Sequence, residues 1–140
     1  MAAPFNPYKQ TQVTTASPET ILIMLYDGAI SYSRTALDKI SQGDIAGRGV
    51  YIGKALAIVL ELINTLNHEV GGEISQRLEQ LYRYMIDEFT RANLQGTAKP
   101  LEDALKVLLI LRDAWTEAVK IKQDERAAEH LPVGKMMAAG

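Results

Sequence analysis

Beyond residue 16 the chain settles into apolar positions spaced three and four apart, the repeat of an α-helix with one buried face. In the first such stretch the seam is Leu22, Leu25, Ala29, Tyr32, Ala36 and Ile40. It opens on Ser17-Pro18-Glu19. The serine can accept a first-turn N–H, proline fits the first helical position, and the acid faces the positive end of the dipole. Gln42-Gly43 closes this stretch, and Asp44 is placed to cap the second, from about 45 to about 67, with the seam Ile52, Leu56, Val59, Ile63 and Leu66. Gly47, Gly49 and Gly53 loosen its start and read as points where two helices approach closely. His68-Glu69-Val70-Gly71-Gly72 reads as a turn. A third stretch, about 73–93, carries Ile74, Leu78, Leu81, Met85, Phe89 and Ala92. After a loop from Leu94 to Lys99, Pro100 opens a fourth, with Leu101, Ala104, Leu108, Leu111, Trp115 and Val119. Helices of roughly 20 residues with short connections force sequential neighbours together, so the pattern predicts an all-α, antiparallel four-helix bundle.

A chain of 140 residues fits one domain. Residues 17–131 are expected to form the bundle, 132–140 a frayed end, and 1–16 a flexible, irregular tail with Pro4, Pro7 and no apolar period. That tail nevertheless holds Phe5 and Tyr8, apolar area that a solvated segment does not need. About ten residues from Tyr8 to Ser17 span up to ~33 Å when extended. Phe5, Tyr8 and Gln10 are therefore expected to act on a groove of the bundle, with Tyr8 as a lid that an occupant displaces or, in the alternative, as a direct contact to it.

The apolar stripes are wider than a bundle requires. One-sided packing needs an arc a little over ~100°. In the second helix Ile58 and Leu60 fall on opposite flanks of the seam and widen the arc to roughly 200°. The fourth helix runs a second line through Val107, Ile110, Ala114, Ala118 and Ile121. Multi-sided burial in a tight bundle is the ordinary explanation. A groove for another amphipathic helix, or self-association, is the functional one. The groove residues are expected to be Ile58, Leu62, Val107, Ile110, Ala114 and Ile121.

Charge and chemistry narrow the classes further. Fifteen Lys and Arg against 17 Asp and Glu give a net charge of −2, with no basic block of the kind that neutralises phosphates. Nucleic acid is not an expected partner. There is no cysteine, hence no disulfide, thiolate site or Cys nucleophile. His68 and His130 lack helical ligand partners, and the acidic pairs Asp87-Glu88, Glu102-Asp103 and Asp124-Glu125 splay around their helices. No phosphate loop or nucleophile elbow is present. No enzyme activity, metal or cofactor is expected. The start lacks a secretory pattern and no apolar run approaches the ~20 residues of a membrane span, so a cytoplasmic location without membrane insertion is expected.

Five pieces of the chain stand out: Tyr8-Lys9-Gln10-Thr11-Gln12-Val13-Thr14-Thr15-Ala16-Ser17-Pro18-Glu19 running on to Leu25-Tyr26-Asp27-Gly28-Ala29, then Leu66-Asn67-His68-Glu69-Val70-Gly71-Gly72-Glu73-Ile74, Leu81-Tyr82-Arg83-Tyr84-Met85, Arg91-Ala92-Asn93-Leu94 and Leu111-Arg112-Asp113-Ala114-Trp115. Together they resemble the FliS family, bacterial export chaperones for flagellin. The resemblance covers about residues 8–120. Leu66-Asn67 stands where Leu-Asp is expected, and the chain from about Ile121 on exceeds the shared core. The resemblance implies a small cytoplasmic helical bundle around which the C-terminal segment of unpolymerised flagellin wraps, one chaperone to one client. It implies that premature assembly is prevented and delivery to the flagellar export apparatus aided. A component of the flagellar export gate and flagellar regulatory proteins are further candidate partners. Such a chaperone acts by mass action, stabilising the bound monomer by RT ln(1 + [L]/Kd). A self-associating structural bundle without a client, and a metal- or ligand-binding bundle enzyme, are the competing classes.

Overall fold

The computed structural model of the chain describes residues 17–129, and among these every regular element is a helix. The elements are α1 (Pro18–Ser41), α2 (Ile45–Asn64), α3 (His68–Gln95) and α4 (Ala98–Glu129). The first three helix starts have a local cause. Ser17 Oγ accepts the Thr20 N–H at 3.2 Å, and Asp44 Oδ1 accepts the Gly47 N–H at 2.8 Å. Asn67 Oδ1 accepts from the amides of Glu69 and Val70 at 3.1 and 3.2 Å. The asparagine that stands where Leu-Asp was expected therefore does the same capping work.

α1 packs against α2 and α4, and α3 against the same two, so α2 and α4 lie diagonally across the bundle. Cross-pairs fix the directions. Arg112 meets Asp27 while Lys122 meets Glu19, which runs α4 antiparallel to α1. Arg48 Nη2 donates to the Asn93 carbonyl, joining the start of α2 to the end of α3. The result is an up-down-up-down bundle, as the period predicts.

The core is built from Tyr26, Ile30, Ile52, Val59, Leu62, Tyr82, Met85, Phe89, Leu101 and Leu108, with alanines at 29, 36, 55, 92 and 104. Close approach occurs at Gly28, where an added Cβ would lie 3.0 Å from Ile58 Cδ1. In α2 the expected close approach occurs at Gly47, where an added Cβ would lie 2.8 Å from Lys39 Cδ of α1, while at Gly49 it would make only ordinary contact with Asn93 Oδ1 of α3 at 3.9 Å. At Gly53 the expectation is corrected, since an added Cβ there would meet nothing within 4 Å.

Two connections also differ from expectation. The expected loop from Leu94 to Lys99 shrinks to Gly96 and Thr97, because Gly96 closes α3 in the left-handed conformation (φ 67°) and α4 starts at Ala98. The expected turn over 68–72 is a helical turn, set off from the rest of α3 by Gly72 at φ 54° and ψ −125°. That backbone conformation is open only to glycine.

Candidate functional site

The kink at Gly72 shapes one end of the bundle. An added Cβ on Gly71 would fall 1.8 Å from Ser75 Oγ, so only a hydrogen fits there. Ser75 Oγ in turn donates to the Asn67 carbonyl at 3.2 Å, which pins the displaced turn to the body of α3. Val70 on this turn and Ile74 just past Gly72 stand out at 85% and 70% exposure. Exposed branched residues this close together are more than a scattered surface hydrophobe.

Beneath that rim lie two adjoining clefts of about 380 and 260 Å³, which share Leu22 and Thr65. The first follows the opening turns of α1 through Pro18, Ile21 and Leu25. The second runs from Leu66 and Val70 over Ile74 and Leu78 to a floor of Tyr82 and Trp115. Together they form an apolar trough made by the start of α1, the α2–α3 connection, the start of α3 and the middle of α4.

The trough floor is tied to the core by three aromatic side chains. Trp115 Nε1 donates to Tyr26 Oη at 3.2 Å, and the hydroxyls of Tyr26 and Tyr82 are hydrogen-bonded at 2.5 Å. Burial pushes the Tyr26 phenol far above its ordinary value, and burial likewise raises Tyr82. Both hydroxyls are therefore protonated at neutral pH. At the mouth, Lys122 Nζ and Arg126 approach Glu19, which lines the first cleft. The hydrogen bond from Lys122 is the main reason that the Glu19 carboxyl is lowered to about 2. No group of three or more His, Cys, Asp or Glu among the described residues is arranged to hold a metal. The chemistry on offer is burial of apolar side chains, with a few polar atoms to orient them.

The residues expected to form a groove are not brought together as one. Leu62 is fully buried and belongs to the core, which corrects its placement. It sits on the inner line Ile52, Ala55, Val59, Leu62, which is the centre of the α2 face. Ile58 is half-buried against Gly28 of α1. Val107 is half-buried at the core margin, while Ile110, Ala114 and Ile121 are exposed along α4, Ile110 at 68%. Phe5, Tyr8 and Gln10 lie outside the described residues.

The trough itself was hidden in the sequence. Leu22, Leu25, Leu66, Ile74, Leu78 and Trp115 all sit on helical seams and read as core. Trp115 is only half-buried and lines the trough. The available signal was Val70, an apolar residue within a stretch read as a turn.

The family described as "Flagellar protein FliS" matches residues 1–122 of the chain. The flagellar secretion chaperone FliS of Vibrio cholerae is 34% identical over 119 residues, covering 85% of this chain and 88% of that protein. The flagellar secretion chaperone FliS of Salmonella typhimurium is 35% identical over 109 residues, 77% of this chain and 81% of its own. That of Bacillus subtilis is 30% identical over 123 residues, 88% of this chain and 91% of its own. With a match that runs through all four helices and the trough between them, the chain belongs to the FliS family of flagellar secretion chaperones.

Proposed function

We propose that this chain is a cytoplasmic, flagellin-specific export chaperone. It binds the C-terminal segment of unpolymerised flagellin one to one, holds it back from premature assembly and aids its delivery to the export apparatus. The observation that carries this reading is the apolar trough with Val70 and Ile74 standing exposed on its rim. A segment that pairs through apolar faces in a filament needs such a surface while it waits. The exposed line Ile110, Ala114 and Ile121 on α4 offers a second stretch for the same client. Binding of this kind needs no catalytic group and no nucleotide, since occupancy alone stabilises the bound monomer. An export-gate component and flagellar regulatory proteins are proposed as further partners.

The test is calorimetric titration of a synthetic flagellin C-terminal segment into the full chain, with sedimentation of the free protein at several concentrations. A saturable one-to-one complex from a monomeric protein supports the reading. Concentration-dependent self-association without client binding would favour the structural bundle instead. Deleting residues 2–10 then separates the two roles proposed for Phe5, Tyr8 and Gln10. Loss of a lid raises client affinity by relieving the competing state, and loss of a contact lowers it.

A further inference from the structure

The hydrogen bonds at the trough floor leave one proton unassigned. Trp115 Nε1–H can only donate, and it donates to Tyr26 Oη. Tyr26 and Tyr82 each bring one O–H, yet a single bond joins them. The three side chains thus hold three donors and make two bonds. Whichever way the tyrosine pair is oriented, one phenolic proton has no acceptor within this trio.

The two orientations are not equivalent. If Tyr82 donates to Tyr26, the Tyr26 oxygen accepts twice and the Tyr26 proton is stranded. Both tyrosines are fully buried, Tyr26 at 0% and Tyr82 at 1% exposure, but Tyr26 does not line the trough, so no occupant of the trough would compensate its desolvation. If Tyr26 donates to Tyr82, a directed chain runs from Trp115 through Tyr26 to Tyr82, and the free proton is on Tyr82. Tyr82 lines the trough. The second orientation puts the spare donor on the side chain that borders the trough.

We propose that the Tyr82 hydroxyl is a polar anchor of the client site, donating a hydrogen bond to an amide oxygen of the bound segment. This inference rests on the trough being the client site. The oxygen is the side-chain carbonyl of an Asn or Gln, or a main-chain carbonyl left free where the bound helix ends. A backbone carbonyl inside a helix is already occupied and does not qualify. An apolar trough alone accepts many amphipathic segments in many registers. One buried donor at a fixed depth selects the segment and register that bring an acceptor to it, because a wrong register leaves that donor unpaired.

The experiment compares three variants of the full chain, titrated with the flagellin C-terminal peptide. Tyr82→Phe removes the anchor and is expected to weaken binding about tenfold, the scale of one hydrogen bond at a desolvated site. Tyr26→Phe removes the relay but leaves the Tyr82 hydroxyl free to donate, so affinity stays within about threefold even if the fold is destabilised. Ile74→Asp tests the trough itself and is expected to weaken binding more than tenfold. A ¹⁵N-labelled sample adds an independent readout, since Trp115 is the only tryptophan and gives a single indole signal. That signal is expected to shift when peptide binds the parent protein, and to shift less in Tyr82→Phe. If Ile74→Asp weakens binding while Tyr82→Phe matches the parent protein, the anchor is overturned and the trough stands. If Ile74→Asp leaves binding unchanged, the client sits elsewhere and both readings fall. Equal losses from Tyr82→Phe and Tyr26→Phe would also overturn the anchor, since they mark a purely structural role.

Discussion

Leu62 and Ile110 are both branched aliphatic residues on helical seams, yet the bundle puts them to opposite uses. Leu62 is fully enclosed, so Leu62→Ala should cost ~2–5 kcal/mol of stability in a denaturant titration. Ile110 is exposed, so Ile110→Asp should change stability by no more than ~0.5 kcal/mol while weakening flagellin-peptide binding by ~1–3 kcal/mol. A collapse of stability in Ile110→Asp would return that residue to the core. The sequence did not separate the two because α2 is apolar almost all round, and Leu56, Ile63 and Leu62 all fit a helical period. On α3 the reading slipped for a different reason. Ile74 and Leu81 looked like seam residues and are exposed, while Ser75, Tyr82 and Glu88 are buried. Each of those three has a hydrogen-bond partner: Ser75 in the Asn67 carbonyl, Tyr82 in the Tyr26 hydroxyl, and Glu88 in Arg91. A buried polar residue whose hydrogen bond makes burial tolerable is invisible to a hydrophobic period, whether its partner is near, as for Glu88, or far along the chain, as for Tyr82.

At the scale of the elements, helix starts were legible and the interruption of a helix was not. Ser17 and Asp44 cap α1 and α2 as their residue types suggest, because capping is decided within four residues. Gly71-Gly72 read as the end of a turn, whereas the chain resumes helix on both sides of Gly72. That choice depends on the capping Asn67 and the bond from Ser75, eight residues away from Asn67. Gly72→Ala should destabilise the protein by ~1–3 kcal/mol through its positive φ, and should protect less of the 68–74 segment in hydrogen exchange. Unchanged stability would mean that the kink is not required. The clamp between α1 and α4 makes a pH prediction. Glu19 has its folded-state pKa lowered from 4.5 to about 2, first by the hydrogen bond from Lys122. A lowered carboxylate favours the folded state when ionised, so the contribution is complete above about 4.5 and is lost as pH falls through about 2. Lys122→Ala should move the Glu19 titration upward toward the ordinary carboxylate range in a carbon-detected NMR titration. An unmoved midpoint would show that Lys122 is not the cause.

For the whole molecule, a net charge of −2 and a trough lined mainly by aliphatic and aromatic side chains assign most of the client affinity to apolar burial. The complex should therefore lose little affinity between low and high salt, because few ion pairs across the interface are available to be screened. A steep decline with added salt would point to a charged interface. The bundle was readable from the spacing of apolar residues, since each helix must hide one face and short connections leave few ways to do so. The trough was not, because its walls come from four separate segments, the start of α1, the α2–α3 connection, the kinked start of α3 and the middle of α4, which only the folded bundle brings together. The most direct test is to map the client onto the protein by methyl and indole NMR shifts during titration with the flagellin C-terminal peptide. The account predicts perturbations at Leu22, Val70, Ile74 and Leu78, at the Trp115 indole, and along Ile110 and Ile121. Shifts confined to Ile45, Val50 and Leu94, apolar residues exposed at the opposite end of the bundle, would contradict it.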